Sequence, residues 1–148
     1  MSTFTVRPMR SADLPAVIRI EQLAFSSPWP LEAFDDAILQ DAWVICSAED
    51  LLGYIMYHNV LDESMIINFA IDPAFRNQGH GTALLKETLD IMVAKGIRTF
   101  YLDVRASNAT ARKIYRGFGF EDIGVRKHYY SLPDEDAIVM AKHIKETA

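Results

Sequence analysis

The chain has 148 residues, half of them hydrophobic and 24% charged, with a formal net charge of −5; this composition suits one globular domain spanning 1–148, excludes intrinsic disorder and disfavours nucleic acid, whose phosphates need a basic surface. No apolar run reaches the roughly 18–20 residues of a membrane span, and the opening MSTFTVRPMR lacks the apolar core of a signal peptide. Cys46 is the only cysteine and the four histidines are scattered singly, so no internal disulfide and no metal site are expected, and a reducing cytoplasm is the expected setting. The mild acidity serves solubility and also leaves room for a cationic peptide as substrate.

In chain order, Phe4–Arg7 reads as a short strand. Ser11 can cap a helix that carries Leu14, Val17, Ile18 and Phe25 on one face. The prolines of SSPWP (residues 26–30) end it, and a second helix is expected from Leu31 to Gln40. Three strand-like runs follow, Trp43–Ala48, Leu51–His58 and Ser64–Ile71, with linkers short enough for an antiparallel meander. Thr82–Ala94 reads as a helix with Leu85, Leu89 and Met92 on one stripe, closed by Gly96. Thr99–Val104 is a strand, Asn108 to Arg116 a short helix stopped by Gly117 and Gly119, and Phe120–Val125 and Ala137–Lys142 two closing strands around HYYSLPDE. Mixed order of this kind predicts an α+β fold, a sheet with helices on both faces.

In FRNQGHGTALL, Gly79 and Gly81 stand where a strand hands over to a helix. The first turn of a helix has free N–H groups and the positive end of the dipole, and glycine lets a phosphate approach the backbone closely. Arg76 stands just before as a charged partner. Two glycines also make a plain tight turn, so spacing alone leaves both readings open. Neither a Walker loop nor Gly-x-Gly-x-x-Gly is present.

The stretch AIDPAFRNQGHGTALL resembles the acetyl-coenzyme A loop of the GNAT superfamily of N-acetyltransferases, whose Gln/Arg-x-x-Gly-x-Gly/Ala motif is met by Arg76, Gly79 and Gly81. YLDVRASNATARKIYRGFGF (Tyr101–Phe120) is similar to the strand, Asn-led helix and Gly-Phe ending of that fold. IEQLAFSSPWP, FAIDP, LDVRASN and RKHYYSLPDEDAIVM, spread from about residue 20 to 140, narrow the resemblance to the RimI group, which acetylates the N-terminal alanine of a small-subunit ribosomal protein. The resemblance implies a mostly antiparallel sheet, acetyl-coenzyme A as cosubstrate, no metal, the N-terminal tail of a ribosomal protein as partner, and a bacterial cytoplasmic setting.

It also implies residue roles. Asn77, Gln78, Gly79, His80, Gly81 and Thr82 would hold the pyrophosphate, largely through backbone N–H groups, with His80 as a surface residue beside it. Phe69, Ala70 and Ile71 would lie on a splayed strand edge, where a backbone N–H can polarise the thioester carbonyl. Asp103 would be the base and Tyr115 the acid that protonates the leaving sulfur, with Asn108 capping its helix beside the coenzyme arm. The RimI group more usually has glutamate at the place of Asp103; aspartate, a methylene shorter, reaches the amine through a water or serves as an electrostatic partner. Glu21, Trp29, Tyr129 and Tyr130 would border the acceptor channel. Glu21 falls on the apolar stripe of the first helix, so its carboxylate needs a partner: a backbone group, a peptide amine or a salt bridge. The acidic PDEDA suits a basic tail, or is a solvated turn. Two rival readings remain at this level: a related acetyltransferase for a small amine or a lysine, and a non-catalytic acyl-coenzyme A binding module that would need neither Asp103 nor Tyr115.

Overall fold

The computed structural model describes residues 3–26, 28–34 and 41–145. Seven strands form one sheet in the order β1-β2-β3-β4-β5-β7-β6. They are β1 (Thr5–Pro8), β2 (Asp41–Ser47), β3 (Asp50–Val60), β4 (Glu63–Ile71), β5 (Thr99–Arg105), β6 (Glu121–Tyr130) and β7 (Glu135–His143). The helices are α1 (Leu14–Ala24), α2 (His80–Ala94) and α3 (Ala109–Gly117). Every pairing is antiparallel except that of β4 with β5. The expected meander is β2-β3-β4, turned by Ala48 and Leu61, both at positive φ.

Strand alternation sends two sets of side chains to opposite faces. On one, Ile45, Ile55 and Tyr57 pack with Leu84, Leu85 and Leu89 of α2 and with Tyr115 of α3. On the other, Val44, Tyr54 and Met56 pack with Val17 and Ile20 of α1 and with Phe34. The helices thus lie on both faces, as the element order predicts. β5 shows the same division: Phe100, Leu102 and Val104 enter the α2/α3 core, which turns Asp103 and Arg105 toward the α1 face.

Several local expectations change. The helix expected from Leu31 begins as a 3-10 turn, Leu31–Phe34; positions 35–40 of that expectation, and Ser27 of SSPWP, lie outside the described residues. Ser11 starts a 3-10 turn rather than capping α1; Asp13 stands at the N-cap position of α1 but makes no side-chain capping bond to it, and its Oδ2 reaches back across the 3-10 turn to accept the Arg10 N–H at 2.7 Å. Phe25 lies past the end of α1 and is exposed. β6 runs to Tyr130, five residues beyond the expected end, because the polar run RKHYY still pairs at its two ends with β7.

The feature that matters most is where β4 and β5 part. Their parallel ladder covers only Glu63–Ile66 against Thr99–Leu102, whereas β4 continues pairing with β3 as far as Ile71. The β3–β4 register shifts at the same place: Met56 faces Asn68 and Tyr57 faces Ile66, leaving Ile67 as an extra residue. A bulge bends its strand. Beyond it, the side of β4 that faced β5 has no strand partner.

Candidate active site

The glycine turn follows β4 directly. Gly79 is the residue before α2 and has φ +83°, a left-handed conformation that glycine adopts without cost. Asn77 is also left-handed, at φ +64°. The first α2 bond is Ala83 N–H to Gly79 C=O at 3.0 Å, and among the described residues the N–H groups of His80, Gly81 and Thr82 make no hydrogen bond to protein. A Cβ on Gly79 would meet nothing within 4 Å, and one on Gly81 would make only ordinary contact, 3.5 Å from Ile71 Cγ1. Internal packing therefore does not explain Gly81. Three free donors, a helix dipole and bare backbone fit a diphosphate. Arg76, Asn77, Gln78 and Thr82 are exposed around the turn.

His80 differs from expectation. Its side chain is buried, with the residue 6% exposed, and its Nδ1–H donates to the Phe75 carbonyl at 3.2 Å. It braces the turn from beneath instead of standing on the surface. The cause is the 3-10 turn Pro73–Phe75, which brings a carbonyl under the start of α2.

Phe69 and Tyr115 meet on the α2/α3 face, ring centroids 6.4 Å apart, and Phe120 packs edge-on to Tyr115 at 5.7 Å. Tyr115 is 8% exposed, and its hydroxyl makes no hydrogen bond among the described residues. Burial pushes that hydroxyl well above the usual phenol range, so it keeps its proton at neutral pH. Asn108 holds the start of α3, its Oδ1 accepting the Ala111 N–H at 3.1 Å.

Asp103 belongs to the opposite face. Its side chain is 7% exposed, and Arg126 Nε donates to its Oδ1 at 3.2 Å. Tyr129 and Tyr130 stack edge-on at 5.1 Å. Arg105 lies over the Tyr130 ring at 4.5 Å, and Arg126 near Tyr129 at 5.8 Å. Burial first, then the Asp103 charge, pushes the Tyr130 hydroxyl up to about 12. Arg105 ties down the loop after Tyr130 by donating to the carbonyls of Ser131 (3.0 Å) and Pro133 (3.1 Å) and pairing with Glu135 (3.3 Å).

Glu21 does not present its carboxylate to the channel. The residue is 2% exposed. Trp29 N–H donates to Oε2 at 2.9 Å, Asn68 Nδ2 to Oε1 at 2.7 Å, and the Tyr54 hydroxyl also to Oε1. Of the partners expected for it, a backbone group is the one found. Through it the Trp29 segment is fixed to β4 just past the bulge. The acidic PDEDA is likewise engaged internally: Glu135 accepts the Ser107 N–H, Asp136 the His128 N–H at 2.9 Å, and Asp134 lies 2.7 Å from His128 Nδ1.

The parted strands therefore have the glycine turn, Phe69 and Tyr115 on one face and Asp103, the tyrosine pair and Trp29 on the other. The chain matches the model of the acetyltransferase (GNAT) family over residues 14–120. The chain belongs to the GNAT family. GNAT enzymes use acetyl-coenzyme A. The chain is 36% identical over 141 residues to the [ribosomal protein bS18]-alanine N-acetyltransferase of Escherichia coli K12, covering 93% of this chain and 95% of that one. It is 31% identical to the Haemophilus influenzae protein of the same name, covering 94% and 98%. Among solved structures it is similar to the Escherichia coli ribosomal-protein-S18-alanine N-acetyltransferase, with TM-score 0.93 and 34% identity, over 99% of this chain and 97% of that one. Sequence reasoning missed Arg126 and Arg105, both inside quoted motifs, and Asn68, one residue before FAIDP; all three find their partners through the sheet. It also missed Gly53, an isolated glycine in a strand and so a sign of close backbone approach. Among the described residues no three His, Cys, Asp or Glu converge on a metal position, and no helix is long and apolar enough to cross a membrane.

Proposed function

We propose that the chain, as one catalytic domain, acetylates the N-terminal alanine of ribosomal protein bS18, taking the acetyl group from acetyl-coenzyme A by direct attack of the amine. The observation that carries this reading is the near full-length likeness to the Escherichia coli enzyme of that name. The parted strands supply a physical route. Bound acetyl-coenzyme A supplies an activated acetyl thioester. The α2 N–H groups and Arg76 hold its phosphates, with Asn77, Gln78 and Thr82 alongside, and the unpaired backbone of Phe69–Ile71 receives its amide arm. A backbone N–H there stabilises the negative charge that grows on the thioester carbonyl oxygen.

The acceptor comes from the α1 face, bordered by Trp29, Tyr129 and Tyr130. An α-amine has a pKa of roughly 7.7–8.0 against about 10.4 for lysine, so at neutral pH freeing its lone pair costs about 1 kcal/mol and not about 4–5. A carboxylate at the place of Asp103 is enough for that, directly or through a water. Tyr115, on the other face, starts protonated and gives its proton as charge grows on the leaving sulfur. The reaction needs no metal, nucleic acid or membrane, and the bacterial cytoplasm, where ribosomes are made, is where it would run.

The test is coenzyme A release from acetyl-coenzyme A with an Ala-started basic peptide, and with the same peptide N-terminally blocked but carrying a free lysine. Turnover on the first alone is expected. Turnover on neither, with acetyl-coenzyme A still bound, overturns the reading in favour of a small-molecule acceptor or a sensing role.

A further inference from the structure

Asp103 is a nearly buried carboxylate with an unusual counter-ion. Among the described residues its only side-chain hydrogen bond is to Arg126, whose own side chain is 54% exposed. A carboxylate removed from water needs a cation or several donors, and here the whole demand falls on one long, solvated side chain.

The sheet register shows how Arg126 reaches it. Arg105 of β5, Ala137 of β7 and Arg126 of β6 lie in one row across three strands; Asp103, Val139 and Gly124 lie in the next row on the same face. Two arginines thus flank Asp103 at row distance, and they are held very differently. Arg105 is 24% exposed and spends its guanidinium on Glu135, two loop carbonyls and the Tyr130 ring. Arg126 has Asp103 and, more loosely, the face of Tyr129. It is also the last residue of β6 to pair regularly with β7 before the irregular stretch that includes His128 at φ +54°. One arginine is a fixed part of the wall; the other can leave.

We propose that Arg126 is a displaceable counter-ion, holding against Asp103 the place that the acceptor's N-terminal ammonium must take, and swinging toward Tyr129 as the acceptor enters. This deepens the reading above and rests on Asp103 being the group that meets the amine. The exchange keeps the buried carboxylate neutralised at each stage, one cation replacing another. It makes Arg126 a specificity device: an N-terminus must carry or offer a cation to dislodge it, and a blocked one cannot.

Steady-state kinetics with the Ala-started peptide at saturating acetyl-coenzyme A test this. Arg126→Gln is expected to lower the peptide KM about two- to fivefold, the range an ion pair with one exposed partner supplies, with the KM for acetyl-coenzyme A unmoved. Arg126→Lys, which keeps the charge, is expected to stay near the parent value. In an Asp103→Asn background, peptide affinity measured by calorimetry with coenzyme A present is expected to be indifferent to Arg126→Gln. A raised peptide KM in Arg126→Gln would make Arg126 an acceptor-binding residue, and an unchanged KM a plain surface ion pair; either overturns the proposal. Asp103→Asn turning over like the parent chain would instead overturn the role of Asp103 itself.

Discussion

Tyr115 sits in an apolar pocket between Phe69 and Phe120 with a hydroxyl that bonds to nothing among the described residues. The residue is buried, yet its hydroxyl oxygen is not among the solvent-excluded polar atoms that lack a partner. An unbonded, reachable O–H suits the acid role proposed above. It follows that Tyr115→Phe removes no stabilising bond. The variant is expected to melt within a degree or two of the parent chain while kcat falls about 10²- to 10⁴-fold, the usual worth of a positioned acid, with both KM values little changed. A full-length rate in Tyr115→Phe would place the acid elsewhere. The sequence could nominate Tyr115 only through its surroundings, since a tyrosine on a short helix reads equally as core. Glu21 shows the opposite limit. Its place on an apolar stripe announced that a partner was needed, but Tyr54 and Asn68 lie on strands far along the chain, and no local pattern names them. His80 was misread for a related reason: position in a loop says nothing about a carbonyl turned toward it from a preceding 3-10 turn.

Among the elements, the end of β4 depends on a residue that carries no chemistry. Gly53 of β3 pairs with Ile71, and a Cβ there would stand 2.4 Å from Ile71 Cδ1 and 2.6 Å from the Ala70 carbonyl oxygen. The side-chain tip can turn aside; the backbone carbonyl can move only by shifting the strand. Gly53→Ala is therefore expected to cost about 1–3 kcal/mol by overpacking. Because the strand displaced is the free edge assigned to the coenzyme arm, the KM for acetyl-coenzyme A should rise severalfold, more than that for the peptide. Differential scanning fluorimetry with and without coenzyme A reads both effects; a variant that melts lower yet binds coenzyme A as before would detach this edge from cofactor binding. The elements themselves were legible where one rule dominated: the stripe of α2, the Asn108 cap of α3, the meander. Those that departed did so where rules competed. β6 is exposed along most of its length, so alternation could not mark its end. The bulge at Ile67 sits inside MIINFAI, apolar on both faces except at Asn68, where alternation is too weak to show an extra residue.

For the whole molecule, one face of the sheet depends on α1, the α-helix described there, and α1 is tied down by two ion pairs. Arg7 of β1 grips Asp13 with two bonds of 2.8 Å at the helix start, and Arg19 meets Asp72, just past β4, at 2.9 Å. The Arg7 guanidinium, against some opposing burial and helped by the Arg10 N–H, holds the Asp13 carboxyl below its usual range. Burial pushes Asp72 up, but the Ala74 N–H and Arg19 together outweigh it, and the net direction is again downward. A carboxyl whose folded pKa is depressed binds its proton less readily in the folded state than in the unfolded one. Its contribution is present in full above the unfolded value of about 3.9 and is lost as pH falls through the lower folded value. The melting temperature should therefore hold level through the mildly acidic range and drop below about pH 4. An Asp13→Asn, Asp72→Asn variant should melt lower at neutral pH and show a shallower acid decline, since two of the groups that titrate are gone. Equal acid slopes in the two proteins would mean that other carboxylates govern the decline. The face held by these pairs is the one that carries Asp103, Trp29 and the tyrosine pair. Loosening α1 frees the Glu21 anchor of the Trp29 segment, so acid should weaken peptide acceptance at a pH where coenzyme A, in the proposed mode held from the other face by backbone N–H groups that do not titrate, still binds.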